Sequence, residues 1–191
     1  MSSGVTLGIL AGGRGTRLGG IDKAWLTRAG VPQVRRIVDR LRDQVDAVLL
    51  SSNGDAARFA GLHVQVVSDA HADAGPVAGL HALATACTSE WLLSVPVDVV
   101  DLDGCLLHSL RAAGAPGAHV VDADGVQPLL ALWPAAALRD AAADAIARGA
   151  LSVQALQREL GLHAVPLDLR LGNLNTPADL AAAGVAMPEP R

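Results

Sequence analysis

Gly8-Ile9-Leu10-Ala11-Gly12-Gly13-Arg14-Gly15-Thr16-Arg17-Leu18-Gly19-Gly20-Ile21-Asp22-Lys23 is the stretch on which the reading of this chain turns. An apolar run, Val5 to Leu10, ends in a glycine-rich turn that carries Arg14 and Arg17, and Lys23 closes it. A buried strand opening into such a loop presents bare backbone N–H groups and three cations in one place. That combination suits a polyanionic ligand, with a nucleoside triphosphate as the first candidate. The loop fails the two commoner phosphate patterns. Gly13 and Gly15 match G-x-G-x-x-G, but Leu18 stands where the third glycine belongs. Lys23 is neither preceded by glycine nor followed by Ser or Thr, so the P-loop pattern fails as well. Gly12 and Gly13 let the backbone approach a base and its phosphates closely. Arg17 and Lys23 can neutralise β- and γ-phosphates and a departing pyrophosphate. The alternative is a glycine-rich surface turn with solvated charges.

Outward from the loop, strand and helix signals alternate. Residues 45–50, 64–67 and 91–95 read as further strands. Residues 34–41, 75–87, 106–112, 135–147 and 153–160 read as helices, and 56–59 as a short helix. Residues 118–121 and 128–132, joined through Asp124-Gly125, read as a hairpin, and 163–165 as one more short strand. Before a last helix, Thr176 can cap, Pro177 can take the first position and Asp179 can complete a capping box. The alternation predicts an α/β fold: a Rossmann-like three-layer sandwich whose sheet is mostly parallel with one antiparallel strand. In such sheets ligands bind beyond the carboxyl ends of the strands. The loop at 12–23, Asp69 and Asp98 each follow a different strand and are therefore expected on one edge.

Bulk properties narrow the partners. At 191 residues, one domain over 1–191 is expected, with 187–191 as a loose tail. The net charge of −4 argues against a general nucleic-acid or membrane binder. One Phe, three Trp and no Tyr leave few stacking platforms for single strands. Cys87 and Cys105 form neither a disulfide framework nor a zinc knuckle. No apolar run reaches membrane-spanning length and no signal peptide is evident, so a soluble cytoplasmic protein is expected. The six histidines lack metal-ligand spacing, and no G-x-S-x-G elbow is present.

The opening loop, Asp69 with Gly75-Pro76-Val77-Ala78-Gly79-Leu80, Pro96-Val97-Asp98, and Asn173-Leu174-Asn175-Thr176-Pro177 together resemble the molybdenum cofactor guanylyltransferases, a MobA-like branch of the nucleotidyltransferases. The resemblance covers nearly the whole chain in order. It implies transfer of GMP from Mg²⁺-bound GTP to the phosphate of molybdopterin, with pyrophosphate leaving and no covalent intermediate. It implies Arg17, Lys23 and Asp98 as catalytic residues. It implies Leu10, Ala11, Gly12, Gly13, Lys23, Ser51, Asp69, Gly75 and Asp98 around the nucleotide. It makes Asp98 the Mg²⁺ ligand and places Asn173 and Asn175 against the acceptor. Molybdoenzyme maturation proteins are the further partners it suggests. From the residues alone, Asp69 can equally cap its own loop, and the two asparagines can satisfy a helix-start turn.

The chain departs from the family at Val97 and Val99-Val100, at Ser51 where asparagine is usual, and at Gln127-Pro128 where His-Pro is common. A serine hydroxyl does not reproduce an amide's donor and acceptor. These departures keep two further readings in view: cytidylyl or guanylyl transfer to another small phosphate, and a non-catalytic GTP-binding homologue.

Overall fold

The computed structural model describes residues 4–12, 21–71, 73–168 and 171–186. Arg17 and Gly13 lie outside the described residues, as do 187–191.

The central element is β1 (Val5–Leu10), buried along its whole length. It pairs in parallel with β4 (Ala47–Ser51) on one side and β6 (Trp91–Pro96) on the other. β5 (Gln65–Val67) extends the sheet beyond β4. On the far side come β8 (Gly125–Pro134), β7 (Ala118–Asp122) and β9 (His163–Pro166), giving the order β5-β4-β1-β6-β8-β7-β9. β8 runs antiparallel to both neighbours, and every other pairing is parallel. The sheet is therefore mostly parallel with one antiparallel strand, as expected.

Side-chain alternation along the strands builds the three layers. Val5, Leu7 and Ile9 face one way and meet Val34, Ile37, Val38 and Leu41 of α1 (Gln33–Leu41) and Leu106, Leu107 and Leu110 of α3 (Leu106–Ala112). Leu10, Leu49, Leu92 and Trp133 face the other way. They meet Val77, Leu80, Leu83 and Ala84 of α2 (Gly75–Ala86) and the Leu138, Ala141, Ala142 and Ala145 stripe of α4 (Ala135–Ala147). Leu156 of α5 (Val153–Glu159) joins that second core. A buried polar pair within this face is satisfied: Trp133 Nε1 donates to Ser94 Oγ at 2.8 Å, and Ser94 Oγ donates to the Leu129 carbonyl at 2.6 Å.

Two local features differ from the sequence expectation. The hairpin turns through Ala123-Asp124, because Gly125 already pairs with Asp122, and β8 starts there rather than at residue 128. A second, three-stranded sheet joins β2 (Thr27–Arg28), β3 (Val31–Pro32) and β10 (Val185–Ala186) in the order β10-β2-β3. Ala29 and Gly30, both at positive φ, make its two-residue turn. This small sheet ties the chain beyond Lys23 to the chain beyond α6 (Pro177–Ala182), around Leu26, Leu174 and Leu180.

Candidate active site

Three strand ends meet at one edge. The Ala11 N–H donates to the Ser51 carbonyl at 3.0 Å, the Val97 N–H to the Leu10 carbonyl at 3.0 Å, and the Ser52 N–H to the Val67 carbonyl at 3.0 Å. Each ladder is thus carried one residue past its strand, and the following residues leave the sheet together. Leu10, Ala11 and Gly12 lie at the centre of this edge. A Cβ added at Gly12 would meet no atom of the described residues within 4 Å.

Lys23 enters this edge on a single 3₁₀ turn, Lys23–Trp25. Asp22 caps the turn by accepting the Ala24 N–H at 3.1 Å, while its other oxygen takes Arg58 at 2.9 Å. The Arg58 guanidinium lies 4.9 Å from the Trp25 ring centre, so one side chain braces Asp22 and Trp25 on either side of Lys23. Lys23 Nζ donates to Asp98 Oδ2 at 2.9 Å and to Asn175 Oδ1 at 2.7 Å. These partners lie 75 and 152 positions away in the sequence. The Lys23 and Asp98 side chains are 21% and 22% exposed, enough to meet a ligand yet partly shielded from solvent.

Asn175 arrives on a strap, Leu171–Asn175, laid across the loop that holds Asp98. The Leu171 carbonyl accepts the Val100 and Asp101 N–H groups, Asn173 bridges Val99, and the Leu174 N–H donates to the Asp98 carbonyl at 3.0 Å. Beyond the strap the predicted capping box of α6 is present. Thr176 Oγ1 accepts the Asp179 N–H at 3.2 Å, and Asp179 Oδ2 accepts the Thr176 and Asn175 N–H groups at 2.7 and 3.1 Å. The Thr176 side chain is the largest influence holding the Asp179 carboxyl below the ordinary carboxylate range. One carboxylate therefore both starts a helix and fixes the backbone of Asn175.

Asp69 follows β5, and its N–H donates to Asn53 Oδ1 at 3.1 Å. Its Oδ1 is buried, with no hydrogen-bond partner among the described residues. Gly75 opens α2 with φ +56°. Ser51 is buried, and its hydroxyl faces α2, 3.2 Å from where a Cβ at Gly79 would sit. The same Cβ would come 2.7 Å from Leu10, so Gly79 serves the close approach of α2 to the end of β1. Of the neighbours of Asp98, Asp103 accepts the Cys105 N–H ahead of α3, as a carboxylate at a helix start does. Asp101 instead pairs with Arg28 at 2.8 Å.

The structure thus brings Lys23, Asp98 and Asn175 into direct contact, with Asn173 beside them on the strap. Four contributors had no local sequence signal: Gln33, Asn53, Arg58 and Asp122. Buried Gln33 donates from α1 to the Val99 carbonyl, holding the Asp98 loop from below. An open groove of about 690 Å³ lies against this loop, with Arg36 and Arg40 on its wall. Among the described residues, no three His, Cys, Asp or Glu side chains gather as a metal cage. No helix among them is long and apolar enough to cross a membrane.

The MobA-like NTP transferase domain model matches residues 7–163. The chain belongs to this family. A molybdenum cofactor guanylyltransferase of Cereibacter sphaeroides is 41% identical over 181 residues, spanning 92% of this chain and 93% of its own length. Another of that name, from Acidiphilium cryptum, is 41% identical over 187 residues, spanning 92% of this chain and 91% of its own. Among solved structures, molybdopterin-guanine dinucleotide biosynthesis protein A from Archaeoglobus fulgidus superposes with a TM-score of 0.74 at 22% identity, covering 94% of this chain and 96% of that one. A 2-C-methyl-D-erythritol 4-phosphate cytidylyltransferase from Thermus thermophilus superposes with 0.70 at 19% identity, covering 93% and 96%. At these identities the two superpositions establish the nucleotidyltransferase fold, and the match over residues 7–163 places the chain within its MobA-like branch.

Proposed function

We propose that this MobA-like protein transfers GMP from Mg²⁺-bound GTP to the phosphate of a molybdopterin acceptor, releasing pyrophosphate and forming a molybdopterin guanine dinucleotide. The observation that carries the reading is the meeting of Lys23, Asp98 and Asn175 at the carboxyl edge of the sheet. The backbone of Leu10 to Gly12, at the centre of this edge, receives the base and phosphates. Asp69, which follows β5 at the same edge, contacts the nucleoside. Ser51 supports that cradle through its carbonyl, which holds the Ala11 N–H. Lys23 exchanges its Asp98 contact for phosphate oxygens and stabilises the charge that develops on the leaving pyrophosphate. Arg17 adds a second cation. Asn173 and Asn175 hold the acceptor so that its phosphate oxygen lies in line with the α-phosphorus.

The donor set fits one Mg²⁺. Asp98 is a single, partly exposed carboxylate outside any protein cage, and Mg²⁺ is commonly held by one or two carboxylates with phosphates and water completing the octahedron. When bound, the metal shields the α-phosphate charge from an anionic attacker. Attack is direct, so no nucleophilic side chain is required.

Base choice separates this reading from cytidylyl transfer. Thermal unfolding with Mg²⁺ and GTP, CTP or ATP tests it. GTP is expected to raise the midpoint most, and a larger rise with CTP would replace guanine by cytosine in the assignment.

A further inference from the structure

The β7–β8 hairpin carries a carboxylate that the transfer chemistry does not use. Asp122 ends β7 and is only 8% exposed. A buried anion is costly unless donors surround it. Asp122 Oδ1 accepts the Asp124 N–H at 2.9 Å and Gln127 Nε2 at 3.0 Å, and Oδ2 accepts the Leu171 N–H at 3.1 Å. Burial pushes this carboxyl up, but donors from Gln127, Leu171, Asp124 and Gly125 together outweigh it and hold the group below its ordinary range.

Most of these bonds close the hairpin on itself. The bond to Leu171 does not: it spans 49 positions and grips the start of the strap. Four residues later the same strap delivers Asn175 to Lys23. Backbone bonds at Leu171, Gly172 and Leu174 and the Val99–Asn173 bridge tie the strap to the Asp98 loop, and buried Leu171 and Leu174 add apolar contact, which is non-directional; the Asp122 bond anchors the strap's start to the hairpin as well. A charge-assisted hydrogen bond has a defined direction and distance. A slip of one residue along the strap would carry Asn175 away from Lys23.

We propose that Asp122, oriented by Gln127, is a positioning residue that sets the register of the Leu171–Asn175 strap and so the placement of Asn175 on Lys23 and Asp98. Gln127 then has a role of its own at the position where the sequence departs from His-Pro. The functional half of this proposal rests on the transfer reading above.

The test uses Asp122→Asn, Gln127→Ala, Asn175→Ala and the double variants with Asn175→Ala. Asparagine keeps the size of aspartate but sets an amide N–H₂ against one of the donors. In Asp122→Asn, kcat/KM for the acceptor is expected to fall about tenfold with the KM for GTP unchanged, and the double variant to be no slower than Asn175→Ala alone. Amide exchange at Leu171 and Leu174 is expected to quicken about tenfold while β1 and β6 keep their protection. Multiplicative losses in the double variant, or unchanged exchange along the strap, would overturn the proposal. If Asp122→Asn does not fold, Gln127→Ala is read by the same cycle and the same amides. Absence of guanylyl transfer in the wild-type protein would refute the transfer reading instead, and the exchange measurement would still decide whether Asp122 sets the strap.

Discussion

Lys23 spends two of its three N–H donors on Asp98 and Asn175, and both bonds are shorter than 3 Å. An ammonium so placed neutralises the carboxylate, and removing it leaves Asp98 uncompensated at a partly shielded site. Lys23→Ala and Asp98→Asn are each expected to lower kcat by about 10²–10³, the usual cost of deleting one group aimed at transition-state charge. Initial rates of pyrophosphate release measure this, and undiminished rates would remove either residue from the chemistry. His119 tests the residue scale through stability rather than rate. Burial lowers its pKa from 6.5, and its Nδ1 is buried without a hydrogen-bond partner among the described residues. The folded protein therefore holds the neutral ring, while the unfolded chain takes up a proton as pH falls below about 6.5. Stability from this group is complete above that pH and is lost progressively as pH falls toward the folded pKa. The thermal midpoint is expected to drop between pH 7.5 and 5.5, and to drop less in His119→Gln. Equal pH dependence in both proteins would contradict the assignment.

At the scale of elements, α6 shows how a short helix serves the site. Its capping box starts one residue beyond Asn175, so Thr176→Ala should cost about 1 kcal/mol and also loosen the Asn175 backbone. Chemical denaturation together with the acceptor KM checks both effects, and a stability loss with no change in KM would separate cap from site. This element was legible in the sequence because Thr-Pro-x-Asp carries its own local mechanism. So were β1, α3 and α4, which the structure bounds as their hydrophobic patterns predict. The β2-β3-β10 sheet was not legible, since two-residue strands contain no period to read. From the residues alone Asn173 and Asn175 could also satisfy a helix-start turn, and the strap that carries them was not legible, because its partners at 98–101 are distant in sequence. The hairpin turn lies one residue earlier than the Asp-Gly signal suggests, for Gly125 pairs with Asp122. The candidate site divides the same way. Lys23, Asp98 and Asn175 stood in motifs, whereas Gln33, Asn53, Arg58 and Asp122 act through single long-range bonds that only folding creates.

At the scale of the molecule, the two sheets meet around the ligand edge. The seven-stranded sheet supplies the cradle and Asp98, while the small sheet joins the segments that bring Lys23 and Asn175 to it. A ligand that spans these parts stabilises the fold by mass action, by about 2.7 kcal/mol at a hundredfold excess over Kd. This linkage explains why a nucleotide panel reports on the site, but binding alone does not establish transfer. The measurement that addresses transfer most directly is product analysis after incubating the purified protein with Mg²⁺, GTP and molybdopterin. Guanylyl transfer requires one pyrophosphate released for each pterin joined to GMP through a phosphodiester, with Lys23→Ala showing neither. GTP bound without either product, or the pterin joined to CMP when CTP is supplied and not to GMP, would contradict it.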